Sequence, residues 1–200
     1  MQVWSTSNYF ADVAFMNPGG VRSDLTYLDS GGEGDGVVTY GEAFTFQPFG
    51  NTLLTFPMTG AEIISVLEEQ CQPLGSSRPF LHRGVSDGFT HDLATTILSP
   101  PVVDCTSVTV TNVQLNGVAL DPAATYIVTA NSFLADGGDH FTTFATFATF
   151  ATFATFATID SSTRLDGGND LEALSNSLSN YLSTFSPVVP PSTDRVKEVP

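Results

Sequence analysis

Five copies of one triplet run in tandem in this chain: Phe-Ala-Thr begins at 144, 147, 150, 153 and 156. A period of three fits neither the two-residue alternation of a strand nor the 3.6-residue turn of an α-helix. On a helix each step of three turns by about 300°, so successive phenylalanines drift by about 60° and wind around the axis instead of lining one buried face. The tract is therefore not an ordinary packed element, and the fold has to be assembled from what flanks it. Uncharged, aromatic and free of proline, it has the composition of a self-pairing segment. It reads as an insertion without function, against the rival of a deliberate hydrophobic interaction segment. A shorter duplication, Leu174-Ser175-Asn176-Ser177 followed by Leu178-Ser179-Asn180, shifts a helix by only about 40° and keeps its face.

The flanking sequence is rich in strand and turn signals. Residues 8–16 form an apolar, aromatic run of strand length that stops at Asn17-Pro18-Gly19-Gly20, a sharp turn. Ser30 to Gly36 is a Gly/Asp/Glu loop, and the β-branched and aromatic Val37-Val38-Thr39-Tyr40 reads as a short strand after it. Pro48-Phe49-Gly50-Asn51 is a turn leading into a strand over 52–56. Thr59 with Glu62 three residues on is a capping box, and Ile63, Ile64, Val66, Leu67 and Cys71 make a helical stripe that Pro73 ends. Asn116-Gly117 between two apolar runs predicts a type I′ hairpin. Thr125 to Asn131 is a further strand, closed by a glycine turn at Asp136-Gly137-Gly138-Asp139. Asn169 with Glu172 caps an amphipathic helix through Leu171, Leu174, Leu178, Leu182 and Phe185. Strands with a few helices in mixed order predict an α+β fold, a mixed β-sheet with a few packed helices. One domain over 1–186, interrupted by the tract at 144–158, and a Pro-rich tail over 187–200 set aside from the fold complete the organisation.

Charge narrows the partners. Charged residues are 14% of the chain, against about 25% in an ordinary domain, and 21 acids against 6 bases leave a net charge of −15. Such a surface repels nucleic-acid backbones and anionic lipid, so neither nucleic acid nor membrane is an expected partner. No apolar run approaches the ~20 residues of a membrane span. Before Arg78 the only basic side chain is Arg22, so an anion bound there relies on that guanidinium and on backbone N–H groups. Cys71 and Cys105 fit one disulfide closing a loop of roughly 35 residues, worth ~3–4 kcal/mol, and fit two buried thiols almost as well. Low lysine, high Ser/Thr/Asp/Gly and the cysteine pair lean toward a secreted, periplasmic or cell-surface protein. The first residues lack the basic and apolar regions of a signal peptide.

Hydrolytic machinery is not legible. His82, His91 and His140 stand in no metal-ligand spacing, no Gly-x-Ser-x-Gly elbow occurs, and Lys197 is the sole lysine. The expectation is no catalytic residue and no metal ligand. What is legible is a potential nucleotide cradle: a glycine turn with a guanidinium over Asn17–Arg22, and two turns that carry Phe49 and Phe133 beside polar groups.

Asn17-Pro18-Gly19-Gly20-Val21-Arg22, then Tyr40-Gly41-Glu42, Pro48-Phe49-Gly50-Asn51, Thr59-Gly60 with its helix, Gly84-Val85-Ser86-Asp87-Gly88, and Asn131 through Asp139 occur in that order. Together they resemble the C-terminal domain of the 5′-nucleotidase and UDP-sugar hydrolase family over roughly 8–144 and 165–186. The resemblance implies a division of labour. A separate N-terminal metallophosphoesterase domain, absent from this sequence, holds two divalent metal ions and hydrolyses the phosphoester. This domain binds the nucleotide or nucleoside, carries no cofactor, and lacks hydrolytic activity alone. By the same resemblance Phe49 and Phe133 sandwich the base, Arg22 pairs with phosphate, Asn17 bonds near ribose or phosphate, and Asp139 accepts from ribose hydroxyls. Gly19, Gly20 and Gly88 admit backbone close to the ligand. His140 stands where the family has glycine, and no basic residue precedes Arg22 to match an arginine the family carries upstream. The rival is a non-catalytic module that binds nucleosides or associates with proteins through the Phe-rich tract.

Overall fold

The computed structural model describes residues 11–98, 104–145 and 195–199. Strand β1 (Val13–Met16) turns Val13 and Phe15 into the core and ends at a 3-10 turn, Pro18–Gly20. A long loop follows, pinned by Asp29, whose carboxylate accepts from the amides of Gly31, Gly32 and Gly34. These bonds, that from Gly32 first, hold its pKa below the usual carboxylate value.

The short strand expected at Val37–Tyr40 is absent. Thr39 is instead the N-cap of helix α1 (Tyr40–Phe46), with Glu42 completing a capping box. The mutual Thr39–Glu42 bonds satisfy two helix-end donors, and this outweighs the β-propensity of Val37 and Val38. Strand β2 (Leu53–Thr59) then leads into helix α2 (Gly60–Glu68) through the expected box at Thr59 and Glu62. Gly60 is obligatory there, because a β-carbon would collide with the carbonyl of Asp121.

Helix α2 stops at Glu68, well before Pro73. The cause is tertiary. Leu81 N donates to Gln70 O, Gln72 N donates to Pro79 O, and Cys71 bridges Phe80, so the chain leaves the helix for a strand-like pairing. The buried Gln70 side chain completes the exit, donating to Leu67 O and accepting from Arg83 N. Cys71 consequently lies off the helical stripe, and it is joined by a disulfide to Cys105.

Strands β3 (Gly84–Val85), β4 (Phe89–Leu98), β5 (Asp104–Leu115), β6 (Val118–Ala119) and β7 (Thr125–Asn131) complete two sheets. The first has the order β2-β7-β1-β3, with β1 parallel to β7 and the other pairs antiparallel. Pro57 is tolerated because β2 is an edge strand. The second has the order β6-β5-β4-β8, where β8 (Val196–Glu198) pairs parallel with β4. Residues 195–199 thus belong to the fold and not to a free tail: His91 N donates to Arg195 O, and Val199 N to Leu93 O. The predicted hairpin is present, with Asn116 and Gly117 at φ 51° and 78°. These sheets and few helices make the α+β class expected.

One core joins both sheets and α2: Phe15 and Val128 from the first, Phe89 and Leu93 from the second, Ile63, Val66 and Leu67 from the helix. Phe144, the first residue of the triplet tract, is fully buried edge-on to Phe15 and Phe56. The tract therefore begins inside the domain. Its remainder over 146–158 and the amphipathic helix expected at 169–185 lie outside the described residues.

Among the described residues, Arg83 and His91 carry buried side-chain nitrogens without hydrogen-bond partners in this interior. Burial pushes the His91 pKa down to about 4. Neutral imidazole is then the folded form, so stability is full above pH ~6.5 and is lost as pH falls toward about 4. Urea unfolding between pH 7.5 and 5 should show a loss on the order of 1–2 kcal/mol that His91→Leu removes. A parallel decline in wild type and variant would assign it to carboxylates instead. Reducing the Cys71–Cys105 disulfide should lower stability by about 2–4 kcal/mol in chemical denaturation.

Candidate functional site at the end of the first sheet

Three loops converge where β1 and β7 end and β2 begins. The ladder places Leu53 opposite Asn131, and beyond it Thr52 and Ser132 exchange bonds, Ser132 N to Thr52 O and Thr52 N to Ser132 Oγ. Phe49 stands three residues before this clasp and Phe133 one residue after it. Both rings are exposed, 43% and 40%, so neither is spent on the core. The Asn17–Gly20 turn joins the same end because β1 runs parallel to β7.

The joint is a pair of buried amides. Asn131 Oδ1 accepts from Leu134 N and caps the short helix α3 (Ser132–Ala135), so its Nδ2 is the donor left to Asn17 Oδ1 at 2.9 Å. That assignment fixes Asn17 in turn: with Oδ1 accepting, its Nδ2 faces Gly19, where a β-carbon would stand 3.8 Å away. At Gly20 a β-carbon would stand 2.9 Å from Asn17 Oδ1 and 2.5 Å from Met16 Cε, so a side chain there would strain the joint.

Arg22 is exposed, and its backbone N–H donates to Phe46 O, tying the turn to the end of α1. Its guanidinium reaches both ways, 3.4 Å from Gly19 O and 5.6 Å from the Phe49 ring centroid. Arg78, which nothing in the sequence pattern singled out, also arrives here. Its Nη2 lies 3.7 Å from where a Gly19 β-carbon would be.

Asp139 sits beside Phe133 through the glycine turn, since Gly138 leaves room for the Phe133 ring; a β-carbon there would stand 2.6 Å from Cε1. Asp139 and His140 both have positive φ, 55° and 61°. Left-handed backbone at non-glycine residues costs roughly 1–2 kcal/mol each. The turn is braced from below: Gln72 Nε2 donates to Asp139 O, and Glu69 accepts from Thr142 and Thr143. Arg83 lies under it, its guanidinium 3.2 Å from the Phe141 centroid and close to Phe144 and Phe15. Burial pushes the Arg83 pKa down to about 9, against the opposing pull of Glu69 and Asp139. Gly88 is elsewhere in its contacts: with φ 79° it packs against Asn116 at the β5–β6 turn, and its carbonyl accepts from Asn116 N.

Among the described residues no group of three or more His, Cys, Asp or Glu side chains stands together as a metal site.

The family model for the 5′-nucleotidase C-terminal domain matches residues 2–146. The chain belongs to that family. A cell wall protein of Listeria monocytogenes, Lmo0130, is 35% identical over 133 residues, covering 66% of this chain and 16% of its own length. The NAD 5′-nucleotidase of Haemophilus influenzae is 33% identical over 137 residues, covering 66% of this chain and 21% of its own length. This chain thus spans about a fifth of such relatives. In structure, a 5′-nucleotidase precursor from Thermus thermophilus superposes with a TM-score of 0.57 at 26% identity, over 94% of this chain and 32% of the other.

The joint gives a direct test. Asn131→Ala strands Asn17 Oδ1 and Leu134 N in a buried setting, so it should cost about 2–3 kcal/mol in urea unfolding. A cost below about 0.5 kcal/mol would show that the amide pair does not hold the loops together.

Proposed function

We propose that this chain is the nucleotide-binding part of a 5′-nucleotidase-type phosphoesterase and presents its ligand to a separate two-metal metallophosphoesterase domain that performs the hydrolysis. The observation that carries the reading is the convergence of two exposed phenylalanines and a guanidinium at one end of a sheet. Exposed aromatic rings in an acidic, sparsely charged protein supply π-faces that accept any nucleobase. Phe49 and Phe133 stack the base, Arg22 engages phosphate with its planar fork, Asn17 donates near ribose or phosphate, and Asp139 accepts from ribose hydroxyls. Gly19 and Gly20 keep the floor of the turn free of side chains. For Gly88 the contacts with Asn116 favour a packing role over a ligand contact.

An exported setting, secreted, periplasmic or at the cell surface, fits the same reading. A disulfide persists in oxidising compartments, and one similar protein is a cell wall protein. The net charge of −15 disfavours nucleic acid as a partner.

Calorimetric titration of the chain with adenosine and AMP tests the proposal. Phe49→Ala with Phe133→Ala should weaken adenosine binding about thirtyfold or more, as expected for two stacking contacts of ~1–3 kcal/mol each. Wild-type affinity in that double variant would remove the stacking assignment. The interaction-module rival predicts that deleting residues 147–158 abolishes association with a protein partner; the nucleotide reading predicts retained adenosine binding in that variant.

A further inference from the structure

We propose that Arg78 is the second cation of a phosphate clamp, acting with Arg22 and Asn17 to make this site select a terminal phosphate dianion over a phosphodiester. The organic part of that ligand rests on the nucleotide reading above. The anion site itself rests on the geometry around Gly19.

Three donors approach that one residue, Asn17 and Arg22 from its own turn and Arg78 from a distant loop. Arg22 Nη1 is 3.4 Å from Gly19 O. Arg78 Nη2 and Nη1 stand 3.7 and 3.9 Å from the position of an absent β-carbon, and Asn17 Nδ2 stands 3.8 Å from it. The Asn17 orientation is enforced, because its oxygen is taken by Asn131 and only the amine side remains.

The chain has six basic residues, and two of them reach Gly19. Among the described residues neither forms an ion pair with a carboxylate; the ion pairs found are His82–Glu198 and Arg195–Asp87. Two like charges gathered without a counter-ion, in a protein with acids to spare, repel each other until an anion lies between them. A dianion with several oxygens answers two guanidinium forks and an amide better than a singly charged diester does.

Arg78 is exposed, yet its loop is held. Gln72 N donates to Pro79 O, Leu81 N to Gln70 O, and the Cys71–Cys105 disulfide fastens the base of the loop to β5. The same loop supports Asp139 through Gln72. One covalent tie thereby serves both ends of the proposed ligand.

The experiment titrates the wild-type chain and Arg78→Gln with inorganic phosphate, AMP, adenosine 3′,5′-cyclic monophosphate and adenosine by calorimetry at pH 7.5 and two salt concentrations. The expected result is phosphate and AMP binding weakened about tenfold or more in the variant, with a shallower salt dependence. Adenosine, lacking phosphate, should bind both proteins alike, and the cyclic diester should lose less than AMP. Unchanged phosphate and AMP affinities in Arg78→Gln would overturn the proposal, as would a wild type that binds neither. Phosphate binding that depends on Arg78 in a chain that ignores adenosine would uphold the clamp and overturn the nucleotide reading instead. Because Arg78 is exposed, circular dichroism and the urea midpoint should be unchanged, separating lost binding from lost folding.

Discussion

The organisation of this domain turns on one buried carboxamide, that of Asn131 at the end of β7. Its oxygen caps α3 and its nitrogen reaches β1's turn through Asn17. A buried amide has to satisfy both ends, since a stranded donor or acceptor costs more than a formed bond returns. That requirement makes the positions of two loops depend on one side chain. The Thr52–Ser132 clasp adds the third loop to the same joint. The exposed groups around it, Phe49 and Arg22 on loops and Phe133 on α3, are consequently tied to strand ends through this joint.

Positive charge is handled in two opposite ways. Arg22 and Arg78 are exposed and lack acidic partners among the described residues. Arg83 is buried among Phe15, Phe141 and Phe144, where ring faces and the more distant Glu69 and Asp139 are what offset its desolvation. Cation–π contact strengthens as water is excluded, and this is the physical reason a guanidinium without hydrogen bonds persists at 3% exposure. Its place directly beneath the Asp139–His140 turn links the core to the strained backbone above it.

Much of the local structure was legible because it is written in short-range chemistry. The capping box at Thr59 and the Asn116-Gly117 turn involve residues within three positions of one another, and both are present. The same logic applied at Thr39 and Glu42 would have found α1; β-branched residues just before the cap obscured it. The long strand β4 went unmarked, although Thr95, Thr96 and Ile97 carry strand propensity, because its pairing with β5 is a tertiary contact that no local spacing records. Of the site, the motif residues were visible as a set in order, whereas Arg78 and Gln72 carried no signal at all. Each acts on residues in a distant part of the chain.

Composition, local spacing and motif order were enough for the α+β class, the family, the cap at Thr59 and the Asn116-Gly117 turn, the sign of the surface charge, and the unusual tract. Long-range pairing set the rest: where α2 ends, that Cys71 meets Cys105, that a segment near the C-terminus becomes β8, that the tract's first phenylalanine enters the core, and that Arg78 comes to Gly19. A backbone donor or a guanidinium finds its partner only after the chain has closed, and no periodicity in the sequence records which one that is.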